Sequence, residues 1–99
     1  MTRRARWTPQ AEQDLEDIVS YIALKEGRPA TAESIADEIH EKCETCSKFP
    51  TLGTARHDLG AGYRVVGVKR WIIIFRPMDQ HIEVMRVVDG ARDYGRLFA

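Results

Sequence analysis

The sequence has little of what membrane-spanning or secreted proteins require. Its longest uninterrupted apolar run covers residues 71–75, whereas a transmembrane helix needs about 20 apolar residues. Thr2, Arg3 and Arg4 are not followed by the apolar stretch of a signal peptide. We therefore expect a cytoplasmic protein that has no membrane partner.

Cysteine and histidine are too sparse for a metal centre. Cys43 and Cys46 form a C-x-x-C, and His40 stands three residues before Cys43. No second C-x-x-C or histidine pair completes a tetrahedral ligand set, and a redox C-x-x-C belongs at the start of a helix rather than near its end. Gly60 and Gly62 are not followed by the Gly-Lys-Ser/Thr of a phosphate-binding loop. The sequence therefore predicts no metal and no cofactor, and places both cysteines on the buried side of a helix.

An excess of charge of one sign is also absent, because 15 basic and 15 acidic residues give a net charge of zero. Nucleic-acid-binding domains are usually basic, so bulk attraction to nucleic acid is disfavoured. The charges are nevertheless unevenly spread. Residues 9–49 carry ten acidic and four basic side chains, whereas residues 50–99 carry eight basic and five acidic ones. This asymmetry leaves open either a solvated acidic surface or a site for an anionic partner on the basic half.

Residues 63–88 predict the core of the fold. They contain three short apolar runs rich in β-branched and aromatic residues, separated by turn-like breaks at Lys69-Arg70 and at residues 77–80. This pattern is typical of an antiparallel three-stranded meander. The middle run, residues 71–75, is apolar at every position, so we expect a central strand whose two faces are both covered.

Two helices are predicted before the meander. Thr8 caps the first helix, Pro9 suits its first position, and Gly27 suits its C-terminal end. The second helix begins at Pro29 and is stopped by Pro50. Each helix carries an apolar stripe at helical spacing, and the short link between them predicts an antiparallel hairpin.

These elements predict one α+β domain that spans residues 1–99. In the segment 3–7, the last four side chains alternate between basic and apolar, which is consistent with an N-terminal edge strand. The predicted order is an N-terminal strand, a two-helix antiparallel hairpin and a three-stranded antiparallel meander, with the helices on one face of the sheet. The glycine-rich segment 50–62 is predicted to be a long loop. We expect the other face of the sheet to be open to solvent or to a partner.

Arginines around the sheet are the main candidates for a functional site. Arg56 lies in the long loop, Arg64 and Arg86 lie in predicted strands, and Arg92 follows the last strand. Strand alternation places several of them on the open face, where guanidinium groups bind phosphate, carboxylate or an acidic peptide. Solvated strand arginines, and a solvated His57 in the loop, remain the simpler alternative.

Three segments of the chain contain short motifs in a characteristic order. They are the opening WTPQAEQDLEDIVSYIA, the middle FPTLGTARHDLGAGYRVV and the end IEVMRVVDGARDYGRLF. In order and spacing these segments resemble the ParE branch of the RelE/ParE superfamily, which comprises the toxin halves of bacterial type II toxin–antitoxin modules. The positions that carry the resemblance in the middle and at the end are Pro50, Gly53, Arg56, Leu59, Gly62, Arg64, Gly90, Arg92 and Asp93.

The resemblance implies a toxin that a cognate ParD-like antitoxin neutralises by wrapping it, and it implies contact with operator DNA only through the antitoxin. It further implies inhibition of DNA gyrase, which needs a binding surface and no catalytic residue. The alternative is RelE-type, ribosome-dependent cleavage of messenger RNA, for which Arg56, Arg64, Arg86 and Tyr94 would be the catalytic residues. Asp89 stands where family members often have histidine, and its carboxylate disfavours the nuclease because it repels phosphate.

Two contact surfaces are predicted from this resemblance. A wrapped antitoxin is expected on the apolar helix grooves and the sheet edges, although a position in the core is the favoured role for Trp7. The residues expected to contact the antitoxin are Trp7, Leu97 and Phe98. The residues expected to contact the target are Arg56, Arg64, Arg86, Arg92 and Asp93.

Overall fold

The computed structural model describes residues 4–92, 94 and 95. The predicted order of edge strand, helical hairpin and meander is confirmed, with a short additional strand before the meander. The elements of the described residues are β1 (Arg4–Trp7), α1 (Pro9–Ser20), a π-helical turn (Tyr21–Lys25), α2 (Pro29–Lys48), β2 (Thr54–Ala55), β3 (Arg64–Val68), β4 (Trp71–Pro77) and β5 (His81–Asp89).

β4 is the central strand of the sheet, as predicted from its unbroken apolar run. The strand order is β1-β5-β4-β3-β2, and β4 pairs antiparallel with both β3 and β5. Ile73 and Phe75 are buried on the face that carries the helices, whereas Ile74 is buried in a second cluster on the opposite face. Because both faces of β4 are covered, every one of these side chains is apolar.

β1 lies at one edge of the sheet and is followed at once by α1. It runs parallel to the first half of β5, ending with Trp7 opposite Val84. The Thr8 hydroxyl then donates to the carbonyl of Met85 (2.9 Å) and accepts from the N–H of Ala11 (3.1 Å). Thr8 thus caps α1 and fixes its start to β5. Beyond Val84, the neighbour of β5 on this side is therefore helix α1 rather than a strand.

The two helices form the predicted antiparallel hairpin on one face of the sheet. A π-helical turn extends α1 to Lys25, and the chain reverses at Gly27, whose φ of 64° suits glycine. Pro29 opens α2, as expected for a residue that lacks a backbone N–H. Among the residues described, neither helix is long and apolar enough to cross a membrane.

The main core lies between this hairpin and the sheet. Side chains from α1, α2, β4 and β5 contribute to it, including Ile39 and Phe75, which are fully buried. Cys43 and Cys46 are also buried in it as free thiols, which confirms the prediction that α2 carries them on its apolar side. Burial raises the pKa of Cys43 to about 12 and also raises that of Cys46. Both thiols are therefore neutral, packed groups.

The opposite face of the sheet is less open than the sequence suggests. Leu59 from the long loop packs with Ile74 and Val88 in a second buried cluster, and the partly buried Tyr63 and Tyr94 border it. The expectation of a face left open to solvent or to a partner is therefore wrong for this area. Alternating strand residues reveal which side chains point outward, but they do not reveal that the preceding loop folds over them.

The loop at residues 50–62 also contains more structure than predicted. Thr54 and Ala55 form β2, which pairs antiparallel with β3 opposite Val65 and Arg64. Two residues are too short a strand to produce a periodic signal in the sequence. β2 places the loop along β3, so that it continues the sheet at the edge opposite β1.

Gly53 is expected to be the most demanding glycine of this loop. Its φ is 83°, and a Cβ atom added there would overlap the carbonyl oxygen of Val65. We expect Gly53→Ala to lower the free energy of unfolding by about 2–4 kcal/mol, because backbone strain and overlap add. Gly27→Ala is the matched control: its φ is 64° but nothing lies within 4 Å of the added Cβ, so about 1–2 kcal/mol is expected. Urea unfolding measures both, and equal losses would contradict the steric argument.

Candidate functional site

Arg64 holds the long loop against β3. Its guanidinium donates to the carbonyl oxygens of Thr51 (2.6 Å), Gly53 (2.9 Å) and Leu52 (3.2 Å). Three acceptors from three consecutive residues leave this side chain little freedom to turn elsewhere. Arg64 is thus engaged as a clamp for the loop that leads into β2.

Arg56 connects the same loop to the C-terminal part of the chain. Its guanidinium forms a forked pair with the carboxylate of Asp58, at 2.9 and 2.8 Å, and donates to the Tyr94 hydroxyl at 2.9 Å. It also lies 5.4 Å from the centre of the Tyr94 ring. The hydrogen bonds that Arg56 donates to Asp58 and Tyr94 raise the pKa of Arg56, and the pKa of Asp58 is lowered in return. Arg56 and Tyr94, both singled out from the sequence, are therefore brought into direct contact.

Arg86 turns toward helix α1 instead of joining the other two arginines. Its Nε and Nη2 donate to the two carboxylate oxygens of Asp14, at 2.7 and 3.0 Å. The backbone N–H of Val87 donates to the same carboxylate at 3.0 Å. Asp14 therefore caps the edge of β5 where β1 has ended, and its hydrogen bonds raise the pKa of Arg86.

A β-bulge in β5 immediately precedes Arg86. Phe75 of β4 pairs with Val84, whereas the preceding Ile74 pairs with Arg86, which leaves Met85 as an extra residue in β5. An extra residue bends a strand and redirects the side chains beyond it. Arg86 pairs with Ile74, which faces the second cluster, but its guanidinium reaches Asp14 of α1. Arg86 therefore does not gather with Arg56 and Arg64, contrary to the prediction of one arginine cluster on the open face.

Next to this ion pair, a groove of about 560 Å³ runs between α1 and the second half of β5. We call it the arginine groove, because three arginines line it. At one end Arg70 forms an ion pair with Asp89 and lies 4.7 Å from the centre of the Trp71 ring. Arg70 lowers the pKa of Asp89, helped by the N–H of Ala91. The residues that line the groove are Asp14, Asp17, Ile18, Tyr21, Arg70, Trp71, Arg86, Val87, Val88, Asp89, Arg92 and Tyr94.

The arginine groove unites some of the predicted site residues and separates others. Arg86, Arg92 and Tyr94 line it, and Arg56 reaches its border through Tyr94. Arg64 is not among its lining residues. Arg92 is exposed, and its guanidinium has no hydrogen bond to the part of the chain that the structure describes. The predicted site residues Asp93, Leu97 and Phe98 lie outside the described residues.

A second groove, of about 390 Å³, lies beside the edge strand β1 and is bordered by Trp7. The Trp7 ring is half-buried against the main core and lies 5.0 Å from the ring of His40, centre to centre. One part of Trp7 therefore packs against the core, and another faces the groove. The other residues that line this groove are Glu12, Leu15, Glu16, Val19 and His40.

Sequence reasoning missed Asp14, Arg70 and Tyr21 as parts of the arginine groove. Asp14 immediately precedes Leu15, a member of the apolar stripe of α1, so it sits on the flank of the face that packs on the sheet. An acid at that boundary is a weak signal for an internal ion pair. The sequence indicates only a turn at Arg70, and nothing in it indicates that this residue reaches Asp89 across nineteen positions.

Comparison with protein families and sequences gives two matches. Residues 5–94 match the family model described as the ParE toxin of the type II toxin–antitoxin system parDE. The chain is also 39% identical over 77 residues to Toxin ParE3 of Caulobacter vibrioides, a match that covers 78% of this chain and 76% of that protein.

Solved structures share the fold at lower sequence identity. A chain of the chromosomal ParDE system of P. aeruginosa superposes with a TM-score of 0.71 at 22% identity, covering 89% of this chain and 96% of that one. A chain of the toxin–antitoxin complex RelBE2 from Mycobacterium tuberculosis gives 0.62 at 17% identity, with coverages of 93% and 95%. YafQ from E. coli gives 0.55 at 18% identity, with coverages of 98% and 99%. The helical hairpin on a mixed sheet is therefore a RelE/ParE-like fold.

Proposed function

Because this chain belongs to the ParE family of toxins from type II toxin–antitoxin systems, we propose that it inhibits DNA gyrase by binding and is neutralised by a ParD-like antitoxin. The proposed inhibition blocks replication without any chemical step carried out by the toxin. Contact with operator DNA occurs only through the antitoxin, and the complex acts in the cytoplasm.

The observation that carries this proposal is that the sheet arginines are already engaged within the chain. Arg64 donates to three carbonyl oxygens, and Arg56 and Arg86 each form a forked pair with a carboxylate. A forked guanidinium–carboxylate pair is directional and charge-assisted, so each arginine is held in a fixed direction. Fixed side chains suit a rigid recognition surface, which needs shape and no reacting groups.

The alternative, ribosome-dependent cleavage of messenger RNA, is less well supported. It requires Arg56, Arg64 and Arg86 to contact a phosphate together, yet each has internal acceptors and Arg64 stands apart from the arginine groove. Asp89 adds a carboxylate to the groove, and its lowered pKa keeps that carboxylate ionised. A translation extract that contains the toxin and a defined message separates the two activities, because our proposal expects the message to remain intact.

The antitoxin is proposed to use the groove beside Trp7. Its apolar wall, formed by Trp7, Leu15 and Val19, would accept an apolar side chain, and the carboxylates of Glu12 and Glu16 favour a partner segment with basic residues. The RelBE2 structure is described as a toxin–antitoxin complex, and a partner of the same kind is expected for this chain. Leu97 and Phe98 stay proposed antitoxin contacts.

Supercoiling of relaxed plasmid by purified gyrase tests this function. We expect the toxin in molar excess to stop supercoiling, and prior addition of the cognate antitoxin to restore it. Undiminished supercoiling at toxin excess would overturn gyrase as the target. Inhibition that the antitoxin fails to relieve would overturn the neutralisation instead.

Arg92 is expected to be the most sensitive target contact among the described residues, because it is exposed and its guanidinium has no hydrogen bond within residues 4–92, 94 and 95. Arg92→Ala should raise the toxin concentration for half-inhibition of supercoiling about tenfold or more, as expected for an arginine at the centre of an interface. Arg28→Ala is the matched control: it removes the same charge from an exposed residue outside the arginine groove. Equal effects of the two variants would show that only net charge matters.

A further inference from the structure

Asp14 receives an unusually complete set of donors for one carboxylate. The fork of Arg86 supplies two hydrogen bonds, at 2.7 and 3.0 Å, and the N–H of Val87 supplies a third at 3.0 Å. The side chains of Asp14 and Arg86 are only 13% and 22% exposed, respectively. The donors are fixed by β5 itself, because one belongs to its backbone and the others to a side chain held at the bulge.

The same donor set is well suited to a phosphate group. Guanidinium forks bind phosphate and carboxylate in the same two-pronged geometry, and backbone N–H groups commonly add a further bond to phosphate oxygens. A carboxylate attached to the same chain has a high effective concentration at the site. It therefore excludes a free anion that makes equivalent hydrogen bonds.

The surroundings of this ion pair provide space and nearly balanced charge. The arginine groove beside it has a volume of about 560 Å³. Its lining includes the arginines Arg70, Arg86 and Arg92 and the aspartates Asp14, Asp17 and Asp89. With Asp14 ionised, these six formal charges cancel. Removing only the charge of Asp14 leaves the groove with one net positive charge beside a guanidinium fork that has lost its carboxylate partner.

We infer that Arg86 and the Val87 N–H form an oxyanion site whose internal occupant is Asp14. Asp14 is thereby the specificity-determining residue that keeps phosphate groups out of the arginine groove. This inference goes beyond the proposed target, because it concerns the class of ligand that the groove excludes. By this inference, Asp14 of α1 determines whether the groove recognises protein or binds nucleic-acid phosphate.

Asp14→Asn tests the inference, because it removes the charge but keeps an oxygen that accepts from Val87. The matched control is Asp17→Asn, which makes the same charge change in the same groove, where Asp17 accepts from Gln13 rather than from an arginine. The probe is inorganic pyrophosphate, titrated into isotope-labelled protein while NMR follows the Nε–H of Arg86 and the N–H of Val87. We expect Asp14→Asn to bind at least about tenfold more tightly than both wild type and Asp17→Asn.

A double variant, Asp14→Asn with Arg86→Lys, should return to the wild-type response, because lysine lacks the fork. A short oligouridylate is then titrated in place of pyrophosphate. If it shifts the same two signals, the site also binds phosphodiesters. If only pyrophosphate shifts them, the site binds free phosphate alone. A folded Asp14→Asn that binds no more tightly than Asp17→Asn would overturn the inference. If the spectrum shows that Asp14→Asn is unfolded, Asp14→Ser, a smaller uncharged polar side chain, carries the same comparison.

Discussion

Replacement of Phe75 by alanine is expected to lower the free energy of unfolding by about 3–5 kcal/mol. Phe75 is the largest fully buried side chain among the described residues and lies in the main core on the central strand β4. The alanine leaves a cavity between the helical hairpin and the sheet, and rigid neighbours fill such a cavity only partly. Domains of this size are stable by roughly 5–15 kcal/mol, so the loss is a large share of the total.

Urea unfolding followed by circular dichroism measures this effect. Phe75→Leu keeps most of the volume and is expected to lose less than about 1.5 kcal/mol. Leu24→Ala controls for removal of a large apolar side chain, because Leu24 is 81% exposed and its loss should stay within about 0.5 kcal/mol. A Phe75→Ala loss no larger than that of Leu24→Ala would contradict the position of Phe75 in the core.

Alkaline pH is expected to destabilise the protein through Cys43. Burial, followed by the charges of Cys46 and Glu44, raises the pKa of Cys43 from 9.0 to about 12. Between these two values the thiol ionises in the unfolded chain but stays neutral in the folded protein. The unfolded chain then binds fewer protons, so stability is fully present below pH 9 and falls as the pH rises. The slope is about 1.4 kcal/mol per pH unit, which amounts to about 4 kcal/mol over the whole interval.

Cys43→Ala separates this effect from the titration of other groups. The variant loses a constant amount of packing energy, but its stability should fall less steeply above pH 9 than that of the wild type. Urea unfolding at about pH 8 and about pH 11 should reveal a difference of about 2–3 kcal/mol between the two pH dependences. Parallel pH dependences would show that the buried thiol does not contribute.

The strands and helices follow closely from local patterns in the sequence. Residues 71–75 are apolar at every position, and this alone indicated a strand covered on both faces. Thr8, Pro9 and Pro29 carry capping chemistry that acts within one helical turn, so the helix starts could be placed without a structure. The apolar stripe of α2 likewise placed Cys43 and Cys46 in the core, where the structure has them.

The candidate site was only partly predictable, because its contacts join distant parts of the chain. The arginines are recognisable in the sequence as polar groups around an apolar sheet, and the structure joins Arg56 to Tyr94 across 38 positions. The sequence contained no sign that Arg64 turns to loop carbonyls or that Arg86 reaches Asp14 of α1. Hydrogen-bond partners are chosen by geometry after folding, whereas propensity and periodicity describe only neighbours along the chain.

By itself, the sequence determined the architecture of this protein and its resemblance to ParE toxins, because both are written in short-range spacing and motif order. Only the tertiary structure decided what its arginines do. Asp14 and Arg86 are separated by 72 positions, and they meet because β1 ends at Trp7 and leaves α1 beside the free edge of β5. There the Asp14 carboxylate accepts a hydrogen bond from the N–H of Val87 and also binds the adjacent Arg86 guanidinium. Such charge-assisted hydrogen bonds are strongest where water is largely excluded.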